Sequence, residues 1–310
     1  MHIISAEQIQ EVLDWEGVLG ALNQAHLGPR PLGGSYFLGD ADDGLFSRGV
    51  ILPGTGAGFK LVSIHPANAN ATPPLPSEHA AFVVIDPTTK AIAAVLDGPP
   101  ITACKTAADS ALAARRLSRE DSSVLLVLGA GPVARALTDV YLHIRPSIRQ
   151  VLLWNRSPQK LDGAQADLQG RGVDVSIVDD LDEAVKRADI ISSATSSSAP
   201  LIHGRHVSPG THVDLVGGFR ADMQEADTEL LGKARIFVDD HQSASAAGDI
   251  LIPLEEGVIN PGSIEGDLFD LTQWPAFERG RDEVTVYKNA GGAHLDLVVS
   301  QYVLGRLAQP

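Results

Sequence analysis

The sequence predicts an α/β protein in which a doubly wound parallel sheet is joined to a second, α+β domain. Beyond about residue 120, short apolar segments alternate with segments of helical composition, the pattern of a parallel sheet with crossover helices. The first of these segments, Val124–Leu128, is wholly apolar and runs into a glycine turn, as expected of a strand buried on both faces. Before residue 119, by contrast, short strands alternate with turns rich in Gly, Pro, Asn and Asp.

Composition narrows the class of protein. Of the 310 residues, 44% are hydrophobic and 20% are charged, and no apolar run approaches the ~18 residues that a membrane-spanning helix needs. The 39 acidic residues outnumber the 24 basic ones, for a net charge of −15, which disfavours nucleic acid and anionic lipid as partners. The single cysteine, Cys104, excludes an internal disulfide, and the N-terminus lacks the features of a secretory signal. We therefore expect a cytoplasmic protein.

The N-terminal part is predicted to begin with a helix and to continue as a sheet. Residues 5–25 have helical spacing with a short break, and Ser5 stands where a helix cap is expected. Strands are predicted at residues 44–52, 58–64, 80–85 and 92–96. The alanine-rich residues 102–117 are predicted to form the helix that leads into the second domain.

The parallel sheet is predicted from six strands and the helices between them. The strands are residues 124–128, 151–154, 173–178, 190–193, 212–216 and 235–238, and the helices are residues 133–142, 158–169, 181–187 and 228–232. The tail adds a strand at 284–287 and a closing helix that ends near residue 307. We predict that residues 119–282 form this domain and that residues 1–118 and 283–310 form the other.

A glycine-rich turn directly follows the first strand of the parallel sheet and opens a helix. Its letters, GAGPVA at residues 129–134, fit G-x-G-x-x-A. The first glycine permits a tight turn, the second lets the backbone approach a pyrophosphate, and the helix N-terminus favours the anion. We therefore expect a Rossmann-type domain that binds a dinucleotide; an ordinary glycine turn is the alternative. The candidate contacts are Gly129, Ala130, Gly131, Pro132 and Val133.

The end of the second strand of this domain bears on the choice of dinucleotide. An acidic residue there binds the ribose 2′-hydroxyl of NAD, whereas a cation accommodates the 2′-phosphate of NADP. Here Asn155, Arg156 and Ser157 follow the strand, and the planar guanidinium of Arg156 suits a phosphate. We expect NADP(H) to be favoured, with NAD(H) possible; alternatively, Arg156 only solvates a surface turn. Ala194 and Thr195, after the fourth strand, are further candidate contacts.

Three cations are candidates for holding a small carboxylate. Lys60 lies in the apolar segment 58–62, where burying an ammonium is costly unless an anion or a hydrogen-bonding network meets it. With Arg48 and Lys105 it would form a cationic pocket in an acidic protein. The alternative, for each of the three cations taken singly, is an ordinary surface residue.

Histidines are weaker candidates. His203 and His206 are spaced like metal ligands, but no third ligand is near them in the sequence, so we predict no metal. His65 and His79 flank the strand of Lys60 and are candidates for the same pocket, although a structural histidine is the commoner case.

Together these segments resemble the ornithine cyclodeaminase and mu-crystallin family. The resemblance rests on GFKLV at 58–62, HPAN at 65–68, TACKTAADSA at 102–111, GAG at 129–131, WNR at 154–156, VGGFRADM at 216–223 and YKNAG at 287–291. It implies a homodimer whose subunits combine a nicotinamide-binding Rossmann domain with a substrate-binding and dimerisation domain, and it adds Gly217 and Asn289 to the candidate cofactor contacts. Members include cyclodeaminases, alanine dehydrogenases and reductases of cyclic ketimines.

Two departures from the family pattern affect the expected activity. Phe219 occupies the place where cyclodeaminases carry a functional aspartate, with Asp222 three residues on as a weak substitute, and Lys105 replaces an arginine that grips the substrate carboxylate. Lysine cannot form the bidentate pair that arginine makes.

We therefore expect an NAD(P)H-dependent reductase of a small cyclic imino acid, which converts Δ1-pyrroline-2-carboxylate or Δ1-piperideine-2-carboxylate to L-proline or L-pipecolate. Lys60 and Lys105, with Arg48, are the candidate catalytic residues that orient the substrate carboxylate. One alternative is an ornithine cyclodeaminase that forms L-proline and ammonia with catalytic NAD+. Another is a non-catalytic, NADP-dependent binding protein of mu-crystallin type.

Overall fold

The computed structural model describes residues 1–40, 42–73, 75–275 and 277–309, and the chain divides into two compact units. The first unit comprises Met1–Lys105 and Gly292–Pro310, and the second comprises Thr106–Gly291. These limits differ from the predicted ones at 118/119 and 282/283. The first limit falls within a continuous helix, Gly98–Leu117, and the second falls beyond a strand, Thr285–Lys288, that pairs with strands of the second unit.

The helices and strands are labelled in chain order. The strands are β1 (His2–Ile4), β2 (Leu32–Gly39), β3 (Gly44–Leu52), β4 (Gly56–Ile64), β5 (Glu78–Ile85), β6 (Ile92–Asp97), β7 (Val124–Leu128), β8 (Gln150–Trp154), β9 (Asp174–Ile177), β10 (Ile190–Ser193), β11 (His212–Leu215), β12 (Arg235–Val238), β13 (Ile264–Asp267) and β14 (Thr285–Lys288). The α-helices are α1 (Ala6–Val12), α2 (Trp15–His26), α3 (Gly98–Leu117), α4 (Pro132–Ile144), α5 (Asp162–Gly170), α6 (Leu181–Arg187), α7 (Thr228–Lys233), α8 (His241–Ser245), α9 (Gly248–Glu255), α10 (Leu268–Gln273) and α11 (Ala293–Leu307). Among these helices, none is both long and apolar enough to cross a membrane.

The first unit is a six-stranded sheet with helices packed on it. The strand order is β1-β6-β5-β4-β3-β2, antiparallel throughout except for the parallel pair β1 and β6. The predicted break in the N-terminal helix is confirmed, because Ser5 caps α1 in a capping box with Gln8 and Asp14 caps α2. Helix α11 packs against β3, β4 and β5.

The second unit is an eight-stranded parallel sheet in the order β13-β12-β14-β11-β10-β7-β8-β9. The six predicted strands are confirmed as β7 to β12, and the tail strand joins the sheet as β14 between β11 and β12. The strand order from β9 to β11 is that of a Rossmann fold, and this order reverses between β7 and β10. Apolar side chains of these strands, among them Leu126, Ile191 and Val213, are fully buried in the core.

Candidate functional site

A buried carboxylate joins two of the three predicted cations in the first unit. Asp296 Oδ1 accepts a hydrogen bond from Lys60 Nζ at 2.9 Å, and Asp296 Oδ2 lies 3.5 Å from Lys105 Nζ. Lys60 Nζ also donates to Thr102 Oγ1 at 2.8 Å. The side chains of Asp296, Lys105 and Lys60 are 2%, 6% and 13% exposed. The anionic partner that burial of Lys60 required is therefore Asp296.

Local structure explains how these side chains meet. Thr102 and Lys105 are three residues apart on α3 and so lie on one face of it. Asp296 lies in the first turn of α11, where the helix dipole favours a negative charge. Arg48 on β3 is the register partner of Lys60 on β4 and lies half-buried, with its guanidinium carbon 5.3 Å from the centre of a neighbouring phenylalanine ring.

The charged groups of this cluster shift one another's pKa values. Burial lowers the pKa of Lys60, and the positive charges of Lys105 and Arg48 lower it further, although Asp296 opposes them. Burial alone would raise the pKa of Asp296, but the ammonium groups of Lys105 and Lys60 outweigh it and hold that pKa below its usual value. Asp296 therefore stays ionised near neutral pH. The two ammonium groups of Lys60 and Lys105 against the one carboxylate of Asp296 give this group a net positive charge, which attracts a small anion.

The glycine turn of the second unit fits a dinucleotide pyrophosphate. Gly129 has a φ of +119°, and a Cβ there would lie 2.6 Å from the carbonyl oxygen of Ala194, so a side chain is excluded. A Cβ at Gly131 would meet no heavy atom within 4 Å, which leaves the approach to the backbone open. Gly131 is the N-cap residue of α4 and provides no side-chain cap, and Pro132 is the first residue of the helix. The free N–H groups of this helix end are available to an anion.

The other predicted cofactor contacts follow neighbouring strands of the same sheet. Val133 continues the first turn of α4, and Ala194 and Thr195 follow β10, so they lie with the glycine turn where the strand order reverses. Ligands of open α/β sheets bind at such a switch point. At the end of β8, Asn155 Nδ2 donates to the carbonyl oxygen of Ser157 at 2.9 Å, and Arg156 is exposed.

Gly217 and Asn289 lie at the ends of β11 and β14. A Cβ on Gly217 would lie 2.1 Å from the carbonyl oxygen of Thr195, so these two loops are in close contact. Asn289 is 1% exposed, and its Nδ2 donates at 2.9 Å both to the carbonyl oxygen of Thr106 and to Ser110 Oγ. Both donor positions of the Asn289 amide are therefore used within the second unit.

Several other candidates are exposed or are paired with other residues. Phe219 is 56% exposed, and the carboxylate of Asp222 pairs with Arg220 at the surface. His203 and His206 lie beside different carboxylates, at 3.3 Å from Asp227 and 3.2 Å from Asp182. His79 projects from the opposite face of the sheet to Lys60, because it pairs with Ser63 and side chains alternate along a strand.

Sequence reasoning missed the anion of the first unit and a buried charged cluster in the second. Asp296 is flanked by Leu295 on one side and by Leu297, Val298 and Val299 on the other, so the argument from a charge in an apolar segment that singled out Lys60 applied to it as well. Glu225, Asp249 and Lys288 are each fully buried in the second unit. They are spread over 64 positions of the sequence, and only the fold brings them together.

Comparisons with known proteins agree with this architecture. Residues 52–309 match the model of the ornithine cyclodeaminase/mu-crystallin family. The chain is 41% identical over 293 residues, 94% of this chain and 92% of the relative, to a Delta(1)-pyrroline-2-carboxylate reductase of Paracoccus denitrificans.

Two solved structures share the fold. One is the Thermococcus litoralis Delta(1)-pyrroline-2-carboxylate reductase in complex with NADH and L-proline, with a TM-score of 0.90, 26% identity, and 99% of this chain and 97% of that chain covered. The other is an archaeal alanine dehydrogenase dimer with bound NAD, with a TM-score of 0.91, 26% identity, and 99% and 95% covered. The match over nearly the whole chain confirms what the segments of the sequence predicted: this protein belongs to the ornithine cyclodeaminase/mu-crystallin family.

Proposed function

We propose that this protein is an NAD(P)H-dependent reductase of small cyclic imino acids, acting on Δ1-pyrroline-2-carboxylate or Δ1-piperideine-2-carboxylate to give L-proline or L-pipecolate. The observation that carries the proposal is the buried group of Lys60, Lys105 and Asp296, which lies beside Arg48. The net positive charge of this group suits a small carboxylate. The 41% identity to a Delta(1)-pyrroline-2-carboxylate reductase supports this choice of substrate.

The residues of the first unit bind and orient the substrate. Lys60, Lys105 and Arg48 hold its carboxylate and so fix which face of the C=N bond is presented, an effect that can supply several kcal/mol of barrier reduction. Asp296 holds the two ammonium groups in place through its two oxygens. A reduced nicotinamide, when bound, supplies the hydride that goes to the imine carbon. Since a protonated ring imine is already electrophilic, we assign no proton donor.

The residues of the second unit bind the dinucleotide, with NADP(H) preferred over NAD(H). The exposed guanidinium of Arg156, in a place where NAD-specific proteins carry a carboxylate, supports the preference. The proposed contacts are Gly129, Ala130, Gly131, Pro132, Val133, Asn155, Arg156, Ser157, Ala194, Thr195, Gly217 and Asn289. The complexes of structural relatives with NADH and with NAD support a nicotinamide dinucleotide in general.

The functional form is proposed to be a homodimer that buries one face of the first unit's sheet. Register and alternation place large apolar side chains of β2, β3 and β4 on the face opposite Lys60. They are Leu32, Tyr36, Leu38, Leu45, Ile51, Phe59 and Leu61, exposed by 41% to 64%. An apolar patch of this extent marks an interaction surface, and an archaeal relative is a dimer.

A cytoplasmic location stays a prediction that the single cysteine supports.

The test is a spectrophotometric assay of NADPH and NADH oxidation with a panel of cyclic and linear imino acids. We expect turnover with the five- or six-membered cyclic substrate. Tight dinucleotide binding without turnover of any imine would instead indicate a binding protein. Stoichiometric ammonia and proline from L-ornithine with NAD+ would indicate a cyclodeaminase.

A further inference from the structure

The carboxyl group of Glu225 is buried beneath the segment that follows β10. Its side chain is inaccessible to solvent, and its Oε1 accepts three hydrogen bonds, from Ser193 Oγ at 2.5 Å and from Thr195 N and Thr195 Oγ1 at 2.7 Å each. One oxygen therefore fixes both the backbone and the side chain of Thr195. None of these contacts is required to complete a helix or a strand.

Two further loops pack onto the same place. A Cβ on Gly217, after β11, would lie 2.5 Å from Glu225 Cδ, so only glycine lets this loop approach the carboxyl group. The glycine turn is in contact through Ala194, whose carbonyl oxygen lies 2.6 Å from the ideal Cβ position of Gly129. The loops after β7, β10 and β11 thus form a continuous set of contacts over Glu225.

Two buried charged residues, Asp249 and Lys288, hold the backbone around Glu225 and Gly217. Asp249 Oδ1 accepts hydrogen bonds from the backbone of Glu225 at 2.7 Å and of Ala226 at 3.3 Å. Asp249 Oδ2 lies 3.1 Å from Lys288 Nζ, which also donates to the carbonyl oxygen of Gly217. This arrangement ties the base of the Glu225 segment and the Gly217 loop to α9 and β14.

The hydrogen bonds to Oε1 do not require Glu225 to be ionised. Burial and the negative charge of Asp249 raise the pKa of Glu225 to about 7, although Lys288 and the hydrogen bonds from Ser193 and Thr195 oppose this. A proton on Oε2 leaves Oε1 free to accept all three bonds. Glu225 therefore contributes an acceptor oxygen at the right position for its donors, and this does not depend on its charge.

We propose that Glu225 is a positioning residue for the dinucleotide: its carboxyl group holds the Ala194 and Thr195 segment against Gly129 and Gly217, in the arrangement that binds the cofactor. The inference rests on the proposed function, because that function supplies the dinucleotide.

The test compares three substitutions by direct titration of NADPH and NADH and by thermal unfolding. Glu225→Met leaves the donors of Ser193 and Thr195 without an acceptor, which we expect to raise Kd for both dinucleotides by about tenfold or more. Glu225→Gln keeps an acceptor at the same reach and should stay within about threefold of the wild type. Glu225→Asp keeps the acid but withdraws it by one methylene, and should bind more weakly than Glu225→Gln. The comparison of Kd between Glu225→Gln and Glu225→Asp distinguishes the position of the acceptor oxygen from the charge of the side chain, even where Glu225→Met folds poorly.

Asp189→Asn is the matched control. Asp189 bridges the amino ends of β7 and β10, where it accepts from the backbone of Ser123 and Val124 and pairs with Arg119. Its loss should lower Tm and leave Kd unchanged.

Better binding by Glu225→Asp than by Glu225→Gln would overturn the inference, as would a rise in Kd for Asp189→Asn equal to that for Glu225→Met. Unchanged Kd in both Glu225→Met and Glu225→Asp would overturn it and leave the proposed function intact. Failure of the wild type to bind either dinucleotide would overturn both.

Discussion

Replacing Lys60 by methionine tests the proposed carboxylate site most directly. Methionine keeps much of the lysine stem and removes the ammonium group. In the folded protein this group bonds Asp296 at 2.9 Å and Thr102 at 2.8 Å, with 13% of the side chain exposed. We expect the substitution to remove one of the cations that bind substrate while leaving the sheet intact.

The size of each effect follows from the contacts. A charge-assisted hydrogen bond contributes up to ~3 kcal/mol, so its loss should lower kcat/KM by about 10²-fold. An uncompensated buried charge costs ~3–5 kcal/mol of stability. Asp296 keeps Lys105 at 3.5 Å, however, so the loss of stability should fall below that range.

The assay pairs steady-state kinetics on the cyclic imino acid with chemical unfolding, in a double-mutant cycle with Asp296→Asn. The cycle gives the coupling free energy between Lys60 and Asp296 for stability. Removing the anion as well should not restore activity, because the substrate carboxylate still lacks its cation. Lys186→Met, which removes an exposed lysine paired with Glu183, is the control and should change neither quantity.

Two results would contradict a substrate-binding role of Lys60. Recovery of kcat/KM in Lys60→Met with Asp296→Asn would show that Lys60 serves only to neutralise Asp296. A loss of activity that matches the unfolded fraction of Lys60→Met would show the same, since a structural ion-pair partner affects activity only through folding.

Four further outcomes are expected. Arg156→Ala should raise KM for NADPH and leave use of NADH nearly intact in the same assay; equal loss with both would contradict the assignment of the 2′-phosphate. Because Phe219 replaces the cyclodeaminase carboxylate, an ammonia assay with L-ornithine and NAD+ should detect no release. Leu61→Asp, on the exposed apolar face, should yield monomers in sedimentation analysis, and an unchanged dimer would place the interface elsewhere. Burial raises the pKa of Glu225 from 4.5 to about 7, so its protonated form contributes stability that is complete below about pH 4.5 and is lost as the pH rises through 7. Urea unfolding at a series of pH values should show this decline in the wild type relative to Glu225→Gln. Parallel pH profiles of the two proteins would contradict it.

The two domains differ in how much of the fold could be predicted. Strands β7 to β12 follow from apolar runs such as Val124–Leu128, because a strand buried on both faces needs little else. Strand β2 was missed, since its eight residues are all exposed and three of them are glycine, so neither alternation nor burial marks it. Strand β13 is mostly buried, but Ile264 is its only large apolar residue, so no apolar run marks it in the sequence.

The class of the fold, the dinucleotide-binding turn at Gly129 and the need of Lys60 for a partner could be predicted from the sequence, because each depends on local periodicity or on the chemistry of a short segment. Tertiary structure alone decided the rest. Asp296 meets Lys60 across 236 positions, Lys288 meets Asp249 across 39, and β14 joins the second sheet, not the first. The physical reason is that a buried charge requires a counter-charge within a few ångströms, and only the packing of distant helices and strands selects which residue supplies it.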